Sequence, residues 1–474
     1  MGREGTLASP KGRGVSFRRT GRGRRKRPLP SSSLPPPLRT TLSPSIELER
    51  KNDIHMARVH TPTNVNSVSH IHEAEPAAIV ERRIRRIGAW FLLYLIMQAE
   101  LGLAWDRQWH DLIGRDSFWI PPHIMMYSGI GGAGLMALAV VLVDTLRYFQ
   151  QAPGVDDSST LTVFRFFHAP FGYVIVGFGA LIDLLAAPFD NWWHSLYGID
   201  VTLWSPFHLM GTVGGLLEGL GLIFIFASEV AIERQEERQG YQPRRFLGLS
   251  GLEWGALLVF TACMEVILPT LTAFLPLPPG SPGPGSWHLL TYPLPLALLA
   301  GFCLTGAVNF MRKPGAATLA ALLLWLLSLL TMVFVPWALR LFVAIYGLRY
   351  RFPDSVPVFN LTIALLPLLF LISALTLDGI VYWQRRDSDI SQAALSKVWL
   401  VGAIIALPAL IVPPLMVQIL LNFTSLRFLP AGVSVLAPDW LNTLLSLPLV
   451  LLAGAVAAFC GARFGEMWYR SRGN

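Results

Sequence analysis

Ten separate apolar runs constrain this chain more than any other feature. They lie near 88–106, 123–145, 164–187, 207–230, 251–274, 288–310, 316–338, 357–383, 399–421 and 441–462. Each approaches the roughly 20 residues that cross the hydrocarbon of a bilayer. Lipid offers a peptide group no hydrogen-bond partner, so such runs fold as helices that satisfy their own backbone. A content of 53% hydrophobic and 14% charged residues is outside the range of an ordinary soluble domain. The expected fold is an all-α polytopic membrane protein with about ten transmembrane helices.

Charge orders these spans. Basic residues collect at Arg82, Arg83, Arg85 and Arg86, at Arg234, Arg238, Arg244 and Arg245, at Arg312 and Lys313, at Arg385 and Arg386, and at Arg463, Arg470 and Arg472. By the positive-inside rule these loops are cytoplasmic, which puts both termini inside. Arg340, Arg349 and Arg351 depart from the pattern locally. The net charge of +8 comes from such topology signals and a basic start, so it implies no nucleic-acid partner.

Three regions follow. Residues 1–75, rich in Arg, Pro, Ser and Gly without apolar periodicity, read as a disordered basic segment; an alternative reading starts translation at Met56. Residues 76–245 form a four-helix unit and 246–474 a six-helix unit. Cys263, Cys303 and Cys460 sit singly in different apolar runs and read as small packing residues.

The four-helix unit contains a repeat, 85–150 and 160–230. The stretches "DRQWHDLIGRDSFWIPPH" (106–123) and "DNWWHSLYGIDVTLWSPFH" (190–208) share D-x-x-W-H-x-x-x-G-x-D. These positions are Asp106, Trp109, His110, Gly114 and Asp116, then Asp190, Trp193, His194, Gly198 and Asp200. After one inserted residue in the second copy, both continue W-x-P-x-H-x5-G through Trp119, Pro121, His123 and Gly129, and Trp204, Pro206, His208 and Gly214. Each copy runs helix out, turn, helix in, so the two share an orientation, as in parallel-repeat membrane folds.

The spacing carries chemistry. Asp and His at i and i+4 share one helix face. A second imidazole, His123 or His208, enters from the returning helix, whose start is set by a proline. The outcome is Asp106, His110 and His123 as one candidate metal site and Asp190, His194 and His208 as the other, both on the non-cytoplasmic side. One carboxylate and two imidazoles suit Cu(II), Zn(II), Fe(II) or Mn(II), and leave coordination positions open. Asp116 and Asp200 are expected to orient a histidine N–H or to serve as ligands themselves. A competing reading makes the Trp, His and Asp residues an aromatic belt with capped helix ends and no metal.

These motifs are similar to those of the particulate methane and ammonia monooxygenases, the copper membrane monooxygenase family. One membrane subunit of that family carries Asp-x3-His-x12-His in one helical pair and Asn-x3-His-x13-His in a later one, and these residues hold its two neighbouring copper sites. Here Asp106-x3-His110-x12-His123 and Asp190-x3-His194-x13-His208 match both spacings, and "WHDLIGRD" followed by "PPH" resembles the family's first site. The likeness spans about 85–230. It implies copper as the cofactor, further membrane subunits and an electron donor as partners, and a bacterial cytoplasmic (inner) membrane as location. Asp190 stands where the family has Asn, which adds negative charge at the second site and favours a divalent ion; nothing in 231–474 resembles the family's other subunits.

Three functions compete on the sequence. One is O2-dependent hydroxylation of a small apolar substrate at copper. The second is capture of copper or another divalent ion and its passage to a partner or across the bilayer; a transporter is expected to carry further polar groups along its path, which Glu100, His168, Asp183 and Glu218 could supply, with His168 read rather as a satisfied core histidine. The third is a receptor or assembly component. In the remaining helices, Glu265 and Asp378 read as hydrogen-bond partners in helix packing.

Overall fold

The computed structural model describes residues 65–114, 117–152, 159–198, 205–273, 293–351, 368, 370–387, 397–410 and 447–470. The start of the basic segment, the loop "PLPPGSPGPGS", Asp116, Asp200, the Glu265 side chain and parts of the last three apolar runs lie outside them. The protein is mainly helical, with a helix in each of the ten apolar runs. Among the described residues, six helices are long and apolar enough to cross a membrane: Glu81–His110, Pro121–Phe149, Phe171–Tyr197, Pro206–Arg238, Ala316–Tyr346 and Leu447–Tyr469. It is an integral membrane protein.

Helix α1 (Val65–Leu112) begins inside the segment expected to be disordered. Its Glu- and Ala-rich stretch before Arg82 has high helix propensity and extends the helix beyond the apolar run. Helix α2 (Pro121–Phe149) returns antiparallel to it. The next helix starts later than the expected residue 164. Strands β1 (Thr160–Val163) and β2 (Phe167–Pro170) pair as a hairpin there, reversed at Phe164 and Arg165, both in the left-handed region. Helix α3 (Phe171–Tyr197) then runs through Pro188 and on across the whole "DNWWHSLY" stretch. Helix α4 (Pro206–Arg238) packs along α3, and a short hairpin of β3 (Arg245–Phe246) and β4 (Leu249–Ser250) leads to α5 (Gly251–Ala273).

The shared glycine of the repeat is a contact point. A Cβ on Gly129 would collide with the backbone of Leu95 and Ala99 on α1, and one on Gly214 would occupy the position of the Asp183 carboxylate on α3. Small residues of this kind let helices approach closely without a hydrophobic driving force.

At the opposite end from the motif, the basic residues of α1 are paired. Arg85, fully buried, binds Asp144 at 2.9 Å and Glu81 at 2.6 Å, while Arg147 reaches Glu81 at 3.2 Å. Arg86 spans Glu229 and Glu236 at 3.0 Å each, and the Tyr173 hydroxyl donates to the Arg85 carbonyl. These bonds tie α1 to α2, α3 and α4 at one end. Glu253 on α5 gathers Arg234, Arg245 and Lys313 in the same way.

The C-terminal part continues with α6 (Pro293–Leu299), a π-helical turn (Ala300–Leu304) and α7 (Thr305–Met311). It is completed by α8 (Ala316–Tyr346), α9 (Phe370–Asp387), α10 (Val398–Ala406), a 3₁₀ turn (Leu407–Leu410) and α11 (Leu447–Arg470). Asp378 on α9 accepts the Thr318 N–H at 2.8 Å and its hydroxyl at 2.7 Å, capping the positive start of α8 from a neighbouring helix. This is the packing role read for it in the sequence. Helix α8 lies against α1. Trp105 meets Phe334 and Phe342 at 5.8 and 5.0 Å between ring centres, and the Arg351 N–H donates to the Leu112 carbonyl at 2.7 Å.

Candidate metal centre

The i, i+4 spacing does what helix geometry requires of it. Near the end of α1 the Asp106 carboxylate faces two imidazoles: Oδ2 lies 3.4 Å from His110 Nε2, and Oδ1 lies 3.1 Å from His123 Nε2 on α2. Between α3 and α4 the arrangement recurs, with Asp190 Oδ2 3.2 Å from His194 Nε2 and Oδ1 3.3 Å from His208 Nε2. In both copies the same oxygen faces the i+4 histidine and the other faces the histidine of the returning helix. Within each triad one ligand atom from each residue lies within 4.8 Å of the others.

The two triads adjoin. The His110 and His194 rings, one from each copy, are 6.5 Å apart between centres, scarcely farther than His110 from His123 (6.0 Å) or His194 from His208 (5.6 Å).

Their surroundings differ. The first triad is buried. On the same stretch of α1, Trp105 and Trp109 pack with Ile120 and with Val335, Ala338 and Leu339 of α8. The second triad is half-buried, beside the stacked pair Phe189 and Phe207 and the exposed Trp192 and Tyr197. Helix α8 packs on the segment of α1 that carries Asp106 and His110 of the first triad.

Does this donor set fit a metal ion? Ligand bonds of about 2.0–2.2 Å at angles of about 90–109° place neighbouring donor atoms about 2.8–3.6 Å apart, and the four carboxylate–imidazole distances fall in that range. His194 Nδ1 lies 3.1 Å from the Gly198 carbonyl. A carbonyl only accepts, so Nδ1 carries the proton. In a neutral ring Nε2 then presents a lone pair toward the Asp190 carboxylate. Two lone pairs facing each other at that distance need a cation between or upon them, either a metal ion or a second proton on the ring. Gly198 has φ +85°, a conformation costly for any residue with a Cβ, so the glycine of the motif lets its carbonyl turn back to the histidine. Asp106 Oδ1 and Asp190 Oδ1 are buried and find no hydrogen-bond partner among the described residues, although an imidazole nitrogen is near each. The residues present fit a metal bound by one carboxylate and two imidazoles.

The chain matches no family model, no curated protein and no solved structure.

One positioning residue escapes the sequence reading. Ser205 caps α4, its hydroxyl accepting the His208 N–H at 3.1 Å, which fixes the backbone of that histidine. The signal for it is a serine directly before the proline that opens the helix. His168 is the satisfied, buried histidine that the sequence favours over a place on a polar path. It sits in β2 with both ring nitrogens bonded, to Thr160 at 3.0 Å and Thr162 at 2.9 Å, and with Tyr148 stacked on the ring at 3.7 Å. The belt reading suits Trp119, which is 71% exposed, but not the inward-turned triads.

Proposed function

We propose that the protein is a membrane metal-binding subunit resembling the copper-holding membrane subunit of the copper membrane monooxygenases, with a metal ion held by Asp106, His110 and His123 and another by Asp190, His194 and His208. The observation that carries this reading is the convergence of two matched carboxylate–imidazole–imidazole triads at adjoining positions. Copper, the ion the motif resemblance implies, would supply O2 activation for hydroxylation of a small apolar substrate that arrives through lipid; zinc, iron and manganese share the donor preference. The chain's own part is to hold and shelter. His194 is kept in one tautomer by Gly198, His208 is fixed through Ser205, and the wall of Trp105, Trp109 and α8 keeps water from the first triad.

The fold is read with it as ten spans, the first four as two copies in like orientation, both termini in the cytoplasm and the triads at the outer face of a bacterial inner membrane. The basic clusters at one end of the bundle support that orientation. An electron donor and further membrane subunits complete the system, and the exposed apolar rim around the second triad supports contact with such a subunit or with lipid.

Transport across the bilayer is the weaker reading. Below Asp183 and Glu218 the facing surfaces of α3 and α4 are apolar, with Val176, Leu222 and Phe226 buried, and no described polar side chain links that layer to His168. Hand-over of a metal to a partner at one face stays compatible with the half-buried second triad.

Metal analysis decides the first step. Purified protein is expected to retain copper, and the His110→Ala, His194→Ala double variant to lose it. Equal copper in both would remove the metal reading. Reductant-dependent O2 uptake with short alkanes, alkenes or ammonia in wild-type membranes then separates oxidation from metal hand-over.

A further inference from the structure

About two helical turns deeper than the triads, three carboxylates from three helices share one region. Asp183 precedes Asp190 by seven residues on the same face of α3, about 10 Å along the axis, and is only 7% exposed. Its carboxylate lies in the space that a side chain at Gly214 of α4 would fill, and close to Gly211. Glu218, one turn further along α4 and only 2% exposed, lies against Gly179 of α3. Glu100 on α1 directs Oε1 toward Gly215. Glycines on α3 and α4 therefore open the room that these acids fill.

Two atoms of the set point to a ligand. Asp183 Oδ1 and Glu218 Oε1 are buried without a hydrogen-bond partner among the described residues. An ionised carboxylate in that position is strongly disfavoured; a neutral acid, or one bearing a cation, is not. The other titratable groups near the set are Arg107, seven residues beyond Glu100 on α1, and the Cys263 thiol of α5, which faces Gly219. Among the described residues, only the two Asp/His/His groups bring three ligand atoms within 4.8 Å, so the acids do not form a ready metal cage.

The repeat shows that Asp183 and Glu218 are an addition to the motif. Shifting Asp183 by the offset between Asp106 and Asp190 gives Ala99, and shifting Glu218 by the offset between His123 and His208 gives Ala133. Both alanines are buried in the close contact between α1 and α2. The first copy thus packs tightly where the second carries carboxyl groups. Packing alone does not call for acids at these positions.

We propose that Glu100, Asp183 and Glu218 form a membrane-embedded proton-binding cluster whose carboxyl groups exchange protons with water from the triad end of the bundle. This site is separate from the metal ligands and stands whether or not the triads hold metal.

Infrared spectroscopy of the full chain in lipid nanodiscs, stripped of metal with a chelator, tests it. A protonated-carboxyl C=O band is expected, shifting on transfer to D2O and weakening in Asp183→Asn and in Glu218→Gln. No such band, a band untouched by both variants, or a band that D2O never shifts would overturn the proposal. Wild-type protein gives a second readout that needs no variant. A hydrophobic carbodiimide, which reacts with protonated carboxyl groups in apolar surroundings, is expected to modify Glu218 or Asp183, located by peptide mass. Absence of label at all three acids, or its suppression by millimolar Na⁺, Ca²⁺ or Zn²⁺ in place of a proton, would count against it. Copper content does not enter either measurement, so their failure is distinct from failure of the metal reading.

Discussion

The His110 and His194 rings stand 6.5 Å apart although they come from different copies of the repeat and different helical pairs. Two metal ions held by these triads would share a wall, and the charge of one would be felt by the other in a site partly shielded from water. Single removal of either histidine is therefore expected to alter binding at both triads. In a double-mutant cycle of His110→Ala and His194→Ala, followed by metal titration, the loss in the double variant should differ from the sum of the two single losses by about 0.5–3 kcal/mol. Additive losses would show that the triads act independently.

Gly198 ends α3 at φ +85° and returns its carbonyl to His194 Nδ1. Alanine there forces either a strained backbone, at a cost of about 1–3 kcal/mol, or a rotated carbonyl that releases the imidazole. The second outcome frees the tautomer and weakens the second triad. Gly198→Ala is expected to reduce metal affinity there by about 10–100-fold, the usual effect of losing a partner that orients a ligand, with the first triad little changed. Unaltered binding at both triads would mean that Gly198 serves the turn alone.

The helices and the triads are legible in the sequence because each rests on local geometry: apolar length for a span, i, i+4 spacing for Asp106 with His110 and Asp190 with His194. The returning histidines are legible because proline marks where α2 and α4 begin. The start of α3 is not, since the hairpin from Thr160 to Pro170 depends on two left-handed residues, Phe164 and Arg165, that ordinary sequence rules do not expect. The unequal burial of the triads is also hidden, as is the packing of α8 on Trp105, a contact across more than two hundred residues that no periodicity reports.

Asp190 offers one oxygen to each imidazole of its triad. Asparagine at that position keeps one acceptor and turns the other into an N–H donor that occupies a histidine lone pair. The site also loses a negative charge. Asp190→Asn is expected to weaken Zn(II) and Cu(II) at the second triad more than Cu(I), which depends less on an anionic oxygen ligand. Competition titrations with the three ions measure this. An equal loss for all three would show that charge does not set the preference.

Trp105 is 3% exposed and lies between α1 and the aromatic residues of α8. Its truncation leaves a large void at the joint between the two parts of the chain. Trp105→Ala is expected to destabilise the protein by about 3–5 kcal/mol and to speed metal loss from the first triad more than from the second. Parallel thermal melts and chelator-release kinetics follow both effects. Equal release rates from the two triads would remove α8 as the shelter of the first.

Arg85 is buried between Glu81 and Asp144, and Glu81 also binds Arg147. Substituting Arg85 alone leaves Asp144 without its cation in an apolar setting, and breaking such a buried pair costs about 3–5 kcal/mol. Removing both members is different, because the carboxylate no longer has to be desolvated unpaired, and Glu81 keeps Arg147. Arg85→Met should therefore lower the melting temperature strongly, while adding Asp144→Leu should restore a substantial part of it. If the double variant is as unstable as the single one, Arg85 acts through another contact, with the Glu81 pair as the next place to look. Because this network lies at the far end of the bundle from the triads, metal content per folded molecule should be the same in all three proteins.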